Sequence, residues 1–182
     1  MPSGEIRLDD LERHLQESWI GREEDVSYGG GEKMPNDLVR LIVAGLRLYV
    51  QVYTDEADPD AIIPALGTLT LRIEAVIRKF ARLLGVPDSR TVDDGHGNPV
   101  TKVAGIELLG HPRIVEKCGE DLIAFAKHTL DRRPEGLRDR IGHAILHADQ
   151  YRALDLDAVL LLLLRLTGIK IEGNDSKKDD VA

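Results

Sequence analysis

The chain has 182 residues, of which 42% are hydrophobic and 31% charged, and its formal net charge at pH 7 is −8. This length suits one domain with a sizeable hydrophobic core, and the single cysteine, Cys118, excludes an intramolecular disulfide. The N-terminus is polar and acidic, unlike a signal peptide. The most apolar run, residues 158–166, is shorter than a membrane span and contains Arg165. We therefore expect a soluble protein of the reducing cytoplasm that makes no membrane contact.

The acidic balance argues against non-specific binding to nucleic acid, which needs lysine and arginine to neutralise phosphates. The charge is unevenly distributed, however. Residues 1–37 hold ten acids against four bases, whereas residues 127–152 hold six bases against four acids, together with three histidines. The second segment therefore leaves room for a basic patch on an acidic protein.

The N-terminal segment, residues 5–20, has the periodicity of an amphipathic helix. Its predicted buried stripe consists of Leu8, Leu11, Leu15 and Trp19. Three consecutive glycines follow within residues 27–33 and predict a flexible connection, so we place the edge of the main domain at about Met34. The predicted organisation is a helix with its linker, a helical bundle and a disordered polar tail, over residues 1–34, 35–170 and 171–182.

The main domain is predicted as a series of helices separated by turn-forming residues. Asn36 is the expected N-cap of the first helix. Pro59 falls in the first turn of a second helix, which ends at Leu84 and which Pro64 kinks or restarts. Residues 86–105 are rich in turn formers and predict a long loop. Further helices are predicted over residues 106–109, 113–130, 137–148 and 155–168, the last capped by Asp155 or Asp157.

The longest of these helices has a clear apolar stripe. Its predicted buried residues are Leu66, Leu69, Ile73, Val76, Ile77, Phe80 and Leu84. No segment of the chain shows a strand pattern. The sequence therefore predicts an all-α fold, an antiparallel up-and-down bundle of four to five core helices with an extra N-terminal amphipathic helix.

The predicted helix 137–148 carries the residues best suited to catalysis or ligand binding. One side of it holds Leu137, Ile141 and Ile145, and roughly the opposite side holds Asp139, His143 and His147. An aspartate one turn before a histidine can accept its ring N–H and favour the protonated imidazole; a solvated polar face is the alternative interpretation. Arg138 lies about 140° around the helix from His143. The two side chains therefore diverge unless the first turn is irregular or a second subunit completes the site.

The string Leu137-Arg-Asp-Arg-Ile-Gly-His143 resembles the R-polar-x-x-x-H motif of the HEPN superfamily. Members of that superfamily are α-helical bundles found in toxin–antitoxin pairs, RNA-targeting defence nucleases and nucleotidyltransferase-associated proteins. The chain is also similar to HEPN domains at the C-terminal end of larger prokaryotic proteins in residues 71–78, 80–85 and 119–122 and in its leucine-rich last helix. The resemblance covers about residues 66–168.

The resemblance implies a metal-independent endoribonuclease in which the ribose 2′-hydroxyl attacks the neighbouring phosphate. His143 would transfer the proton, Arg138 would hold the phosphate, and Asp139 would orient one of them. Further substrate contacts would come from Arg140, His147 and Arg133. The family generally dimerises with two motif helices at one cleft, so the resemblance also implies a homodimer with an RNA substrate and, for a toxin or defence effector, an inhibitory protein partner.

The chain departs from the motif at two positions. Ile145 stands where some HEPN toxins have tyrosine, and Asp139 stands where many relatives have asparagine and adds negative charge beside a phosphate site. The alternative function is a non-catalytic dimerisation or binding module for a protein or RNA partner, with the N-terminal helix as an adhesive arm; a plain structural bundle is the third. The sequence contains no Walker loop, no dinucleotide-binding glycine motif and no Cys/His set with zinc spacing, so we expect no cofactor or metal.

Overall fold

The structure is a computed structural model that describes residues 7–22, 37–54, 59–93, 95–96, 98–131, 136–143 and 146–171. Within these residues the chain forms seven α-helices and one antiparallel two-stranded sheet. The helices are α1 (Leu8–Glu17), α2 (Leu38–Tyr53), α3 (Ile62–Leu83), α4 (Pro112–Cys118), α5 (Glu120–Leu130), α6 (Leu137–Gly142) and α7 (Ala153–Thr167). The strands are β1 (Ser89–Asp93) and β2 (Pro99–Val103), and short 3₁₀ turns cover Pro59–Ala61, Ile106–Gly110 and Ala148–Gln150. The fold is thus predominantly helical, as predicted.

Helix α3 lies at the centre of the molecule, where it contacts α2, α6 and α7. Pro64 lies in its first turn, where a helix needs no backbone N–H donor, and the helix therefore runs unbroken through it. The predicted stripe is confirmed from Leu66 to Phe80, and Leu84 lies just beyond the helix and is half-buried. The buried side chains of α3 form the middle of one hydrophobic core.

Helix α1 contributes to this same core. The Leu15 and Trp19 side chains are buried, and the Trp19 ring packs 5.2 Å from the ring of Phe80, centroid to centroid. The indole Nε1 of Trp19 donates to the backbone oxygen of Leu166, 3.1 Å away, and His14 Nε2 lies 2.9 Å from Thr167 Oγ1. Helix α1 itself packs against α2, and these two bonds tie the α1 segment to the C-terminal end of α7. The buried stripe proposed as an adhesive arm is therefore occupied within the chain itself. The predicted boundary at Met34 lies outside the described residues.

A buried lysine on α3 anchors the chain just after α1. Lys79 is 2% exposed, and its Nζ donates to the backbone oxygens of Ile20 and Arg22 at 2.8 and 2.6 Å. A buried ammonium group is tolerated only where such acceptors replace its water. This contact fixes the end of the α1 segment on the central helix.

The prediction of a loop over residues 86–105 was wrong, because β1 and β2 form a hairpin there. Thr91 pairs with Thr101, and Val92 pairs with Val100, in an antiparallel register. β-Branched residues of this kind favour extended backbone. The hairpin lies on the surface with nearly all its residues exposed, so it lacks the alternation of apolar and polar residues by which a strand is normally predicted.

The predicted helix 113–130 is two helices, α4 and α5. Gly119 separates them with φ +79°, a left-handed conformation that residues with a Cβ avoid. The predicted caps of the last helix are also corrected: its N-cap is Arg152, which pairs with Asp155 in the first turn, whereas Asp157 lies a turn further on. Among the described residues, no helix has the length and apolar character needed to cross a bilayer.

Candidate functional site

The motif helix α6 is shorter than predicted, because it ends at Gly142 and not at Ala148. His143 occupies its C-cap position, with a backbone N–H that donates to the Asp139 carbonyl at 2.9 Å. His147 lies beyond the helix, at the N-cap of a 3₁₀ turn. The predicted polar face of Asp139, His143 and His147 on one continuous helix therefore does not form.

Arg138 is held by two carboxylates. Its Nε donates to Glu74 Oε2 at 2.8 Å and its Nη2 to Glu74 Oε1 at 3.4 Å, while Nη1 donates to Asp139 Oδ1 at 2.6 Å. These bonds, chiefly those to Glu74, raise the pKa of Arg138 above its already high value. Because a guanidinium has five N–H groups, two remain for another partner. Asp139 thus orients Arg138, and its carboxylate does not bond the His143 ring.

Glu74 is the site residue that the sequence analysis missed. It is 8% exposed on the inner side of α3, and Arg78 Nη1 also donates to its Oε1 at 3.2 Å. A buried carboxylate needs charged or hydrogen-bonding partners, and the Glu74–Arg78 spacing within an apolar stripe was the one signal available. The partner on α6 lies 64 residues away in sequence, beyond the reach of a local pattern.

Close packing around Glu74 explains why residue 105, just before the 3₁₀ turn that follows β2, is a glycine. A Cβ placed on Gly105 would lie 2.8 Å from Glu74 Oε1 and 3.4 Å from Glu107 Oε2. Since Glu74 is held by two arginines, its carboxylate has little freedom to move away. Gly105 therefore lets the backbone pass beside the ion pair.

Arg138 and Asp139 line a groove of about 470 Å³. The groove lies between the hairpin, the 3₁₀ turn after it and helices α3, α5 and α6, and its charged residues are Glu74, Lys102, Glu107, Lys127, Asp131, Arg138 and Asp139. Four acids thus face three bases. Because Glu74 and Asp139 already pair with Arg138, and Lys102 and Lys127 are matched by Glu107 and Asp131, the groove has no excess of positive charge.

The other predicted site residues lie outside this groove. His143 is exposed but does not line it. Arg140 donates from Nη2 to Gln150 Oε1 at 3.2 Å, and the His147 side chain caps the 3₁₀ turn that contains Gln150. Arg133 lies outside the described residues. Arg138 therefore lines this groove, whereas His143 does not.

Cys118 does not supply a reactive thiol. Burial raises the pKa of Cys118 to about 11, so its thiol is protonated at neutral pH and a poor nucleophile. Within the described ranges, no group of three or more His, Cys, Asp or Glu side chains is arranged to hold a metal ion.

The chain matches no protein-family model, and comparisons with curated proteins and with solved structures found no significant match.

Proposed function

We propose that this chain is a non-catalytic HEPN-like module that binds a protein partner, in which the motif arginine has a structural role. The observation that supports this function is the bonding of Arg138 to buried Glu74 and to Asp139, in a groove that His143 does not line. In this proposal the helices pack as an antiparallel up-and-down bundle, and the module is a cytoplasmic homodimer in which two α6 helices meet.

Electrostatics favours a protein partner over RNA for this module. The whole chain carries a net charge of −8. The groove contains four acids against three bases, and two of each remain when Arg138 and its partners Glu74 and Asp139 are set aside. An RNA backbone would meet these acids without a compensating set of lysines and arginines. A protein surface of mixed charge meets no such penalty.

The second candidate is a metal-independent endoribonuclease of toxin or defence type, held in check by an inhibitory partner. Two N–H groups of Arg138 remain unused, and His143 is exposed at the end of α6. In a homodimer, Arg138 of one chain would bind the phosphate while His143 of the other takes the 2′-hydroxyl proton. Asp139 would orient Arg138, and Arg140, His147 and Arg133 would contact the RNA.

One assay separates the two functions. Purified protein is incubated with mixed RNA in EDTA, beside His143→Ala and, as a matched control, His128→Ala on the exposed face of α5. We expect no cleavage by any of the three proteins. Cleavage by the wild type that is lost in His143→Ala and kept in His128→Ala would contradict the binding module and establish the nuclease.

A further inference from the structure

We propose that the surface where α2 ends and α7 begins docks a partner protein segment that inserts an arginine between two apolar side chains. This inference rests on the proposed binding function and specifies the partner's chemistry. We call the surface the tyrosine patch. It consists of Tyr49 and Tyr53, which both bond to Asp157, and of the exposed side chains of Val50 on α2 and of Leu154 and Leu161 on α7.

Two phenols converge on one carboxylate oxygen in this patch. The hydroxyls of Tyr49 and Tyr53 donate to Asp157 Oδ1 at 2.9 and 2.7 Å. Their ring centroids are 5.0 Å apart, and the rings are tilted by 46°. Within the described part of the chain, Oδ2 of Asp157 has no hydrogen-bond donor, and no lysine or arginine pairs with this carboxylate. The patch thus holds a negative charge with one oxygen still available.

The surroundings of that carboxylate are apolar and exposed. Tyr53 and Leu161 are each 49% exposed, Val50 is 40% exposed and Leu154 is 69% exposed. Leu154 precedes Asp157 by three residues and Leu161 follows it by four, so the leucines flank it along α7. Clustered exposed apolar side chains of this kind mark interaction surfaces.

The charge of the patch selects a cationic occupant. The C-terminal end of α2, where Tyr53 lies, carries the negative end of the helix dipole, beside the Asp157 carboxylate. Burial, followed by the bond to Asp157, raises the pKa of Tyr49 to about 12, so its hydroxyl remains a donor at neutral pH. A phenol that donates to a carboxylate has an electron-rich ring, which favours cation–π contact.

Arginine fits this surface better than a second copy of the chain does. A symmetric dimer through the patch would bring two Asp157 carboxylates into one interface without adding a cation, and these like charges would disfavour it. A guanidinium can stack on Tyr53 and donate to Asp157 Oδ2 at once, and it is less strongly hydrated than an ammonium group. The flanking leucines then supply apolar contacts on both sides.

The test uses a synthetic 16-residue alanine-rich helical peptide with leucines three residues before and four residues after a central arginine. Its matched control carries citrulline, the neutral isostere, in place of arginine. Binding to ¹⁵N-labelled full-length protein is followed by amide chemical shifts. We expect saturating shifts confined to residues 49–53 and 154–161, and binding that is roughly fivefold weaker for the citrulline peptide.

Three variants make the result decisive. Asp157→Asn should abolish the difference between the two peptides, whereas Asp155→Asn should preserve it. Equal binding of both peptides, or shifts elsewhere on the protein, would overturn the proposal. A dimer that Leu154→Asp converts to a monomer would also overturn it, because a second copy would then cover the patch. None of these outcomes depends on RNA cleavage, which tests the proposed function separately.

Discussion

At the scale of single residues, Arg138 and Glu74 show how a motif position can serve the fold. Glu74 is almost fully buried, and its charge is compensated by Arg138 from α6 and by Arg78 from its own helix. Removal of one partner from such a group leaves a carboxylate without full compensation. The pair therefore fixes α6 on α3, whatever else Arg138 contacts.

This ion pair predicts a specific loss of stability. We expect Arg138→Ala to lower the free energy of unfolding by about 2 kcal/mol, less than for a fully buried pair because Arg138 is partly exposed and Arg78 remains. Arg140→Ala, two residues along α6, should change it by less than about 0.5 kcal/mol. Urea denaturation of both variants measures the change in the free energy of unfolding. Equal stability of the two would show that the Glu74 pair is not structural.

The Tyr49 hydroxyl makes a prediction about alkaline pH. Its pKa is raised from 10.0 to about 12, first by burial and then by the bond to Asp157. The folded state therefore holds this proton more tightly than the unfolded state, and the resulting stability is present below pH 10 and lost as the pH rises towards 12.

Absorbance titration at 295 nm measures this ionisation. Burial and the bond to Asp157 raise the pKa of Tyr53 as well as that of Tyr49. In Asp157→Asn we therefore expect both tyrosines to titrate at lower pH, but still above 10, because burial remains. Asp155→Asn is the control and should leave the titration unchanged. An unaltered curve in Asp157→Asn would show that the carboxylate does not hold the phenol.

The motif is visible along the chain and names Arg138 and Asp139, which line the groove, whereas Glu74 and Lys102 reach the groove only through tertiary packing. The resemblance also implied that Arg138 and His143 act together. On a regular helix these two side chains diverge, so their convergence depends on an irregular turn or a second subunit, and a local sequence pattern reports neither.

At the scale of elements, the length of α6 decides where His143 lies. Gly142 is the last residue of this six-residue helix, and glycine is a poor helix former because its backbone loses more entropy on folding. A Cβ on Gly142 would meet no atom within 4 Å. The position is thus free for alanine, unlike Gly119, which adopts a positive φ.

The two glycines predict opposite effects of one substitution. Gly142→Ala should raise the free energy of unfolding by up to about 1 kcal/mol. Gly119→Ala should lower it by about 1 kcal/mol, because alanine is strained in the left-handed conformation. Thermal unfolding of both variants measures the difference. A destabilised Gly142→Ala protein would contradict the open position that the structure gives this residue.

The presence or absence of a buried face explains how much of the fold could be predicted. A long periodic stripe predicted α3 from Leu66 to Phe80, because one buried face along about four turns leaves a strong pattern. The hairpin and the break at Gly119 were missed, because the hairpin has no buried face and the break depends on the φ of one residue. Helices with a core face were predictable, and surface elements were not.

At the scale of the whole molecule, one core joins both ends of the described chain. Leu15 and Trp19 of the N-terminal segment pack with the buried side of α7, and Arg22 Nη2 donates to the carbonyl of Ile171 at 3.0 Å. Lys79 adds its two bonds to the same segment. The α1 segment is therefore an integral part of the core.

Removal of the lysine contacts should loosen that segment selectively. Lys79→Met keeps the length and apolar stem but leaves the carbonyls of Ile20 and Arg22 without this donor, at a cost of about 1–3 kcal/mol. We expect faster amide hydrogen exchange in residues 8–22 and unchanged exchange in α5. Lys127→Met, at an exposed position on α5, is the matched control. Uniformly faster exchange across the protein would instead indicate global destabilisation.

The bond between Trp19 and the end of α7 also constrains the order of events on the ribosome. Trp19 bonds to a residue 147 positions later in the chain, so the α1 segment emerges long before this partner has been translated. During that interval its tryptophan and leucines lack their final contacts and are open to chaperones. A nascent chain stalled before Ala153 should therefore be protease-sensitive in its first 22 residues and become resistant once the last helix has cleared the exit tunnel.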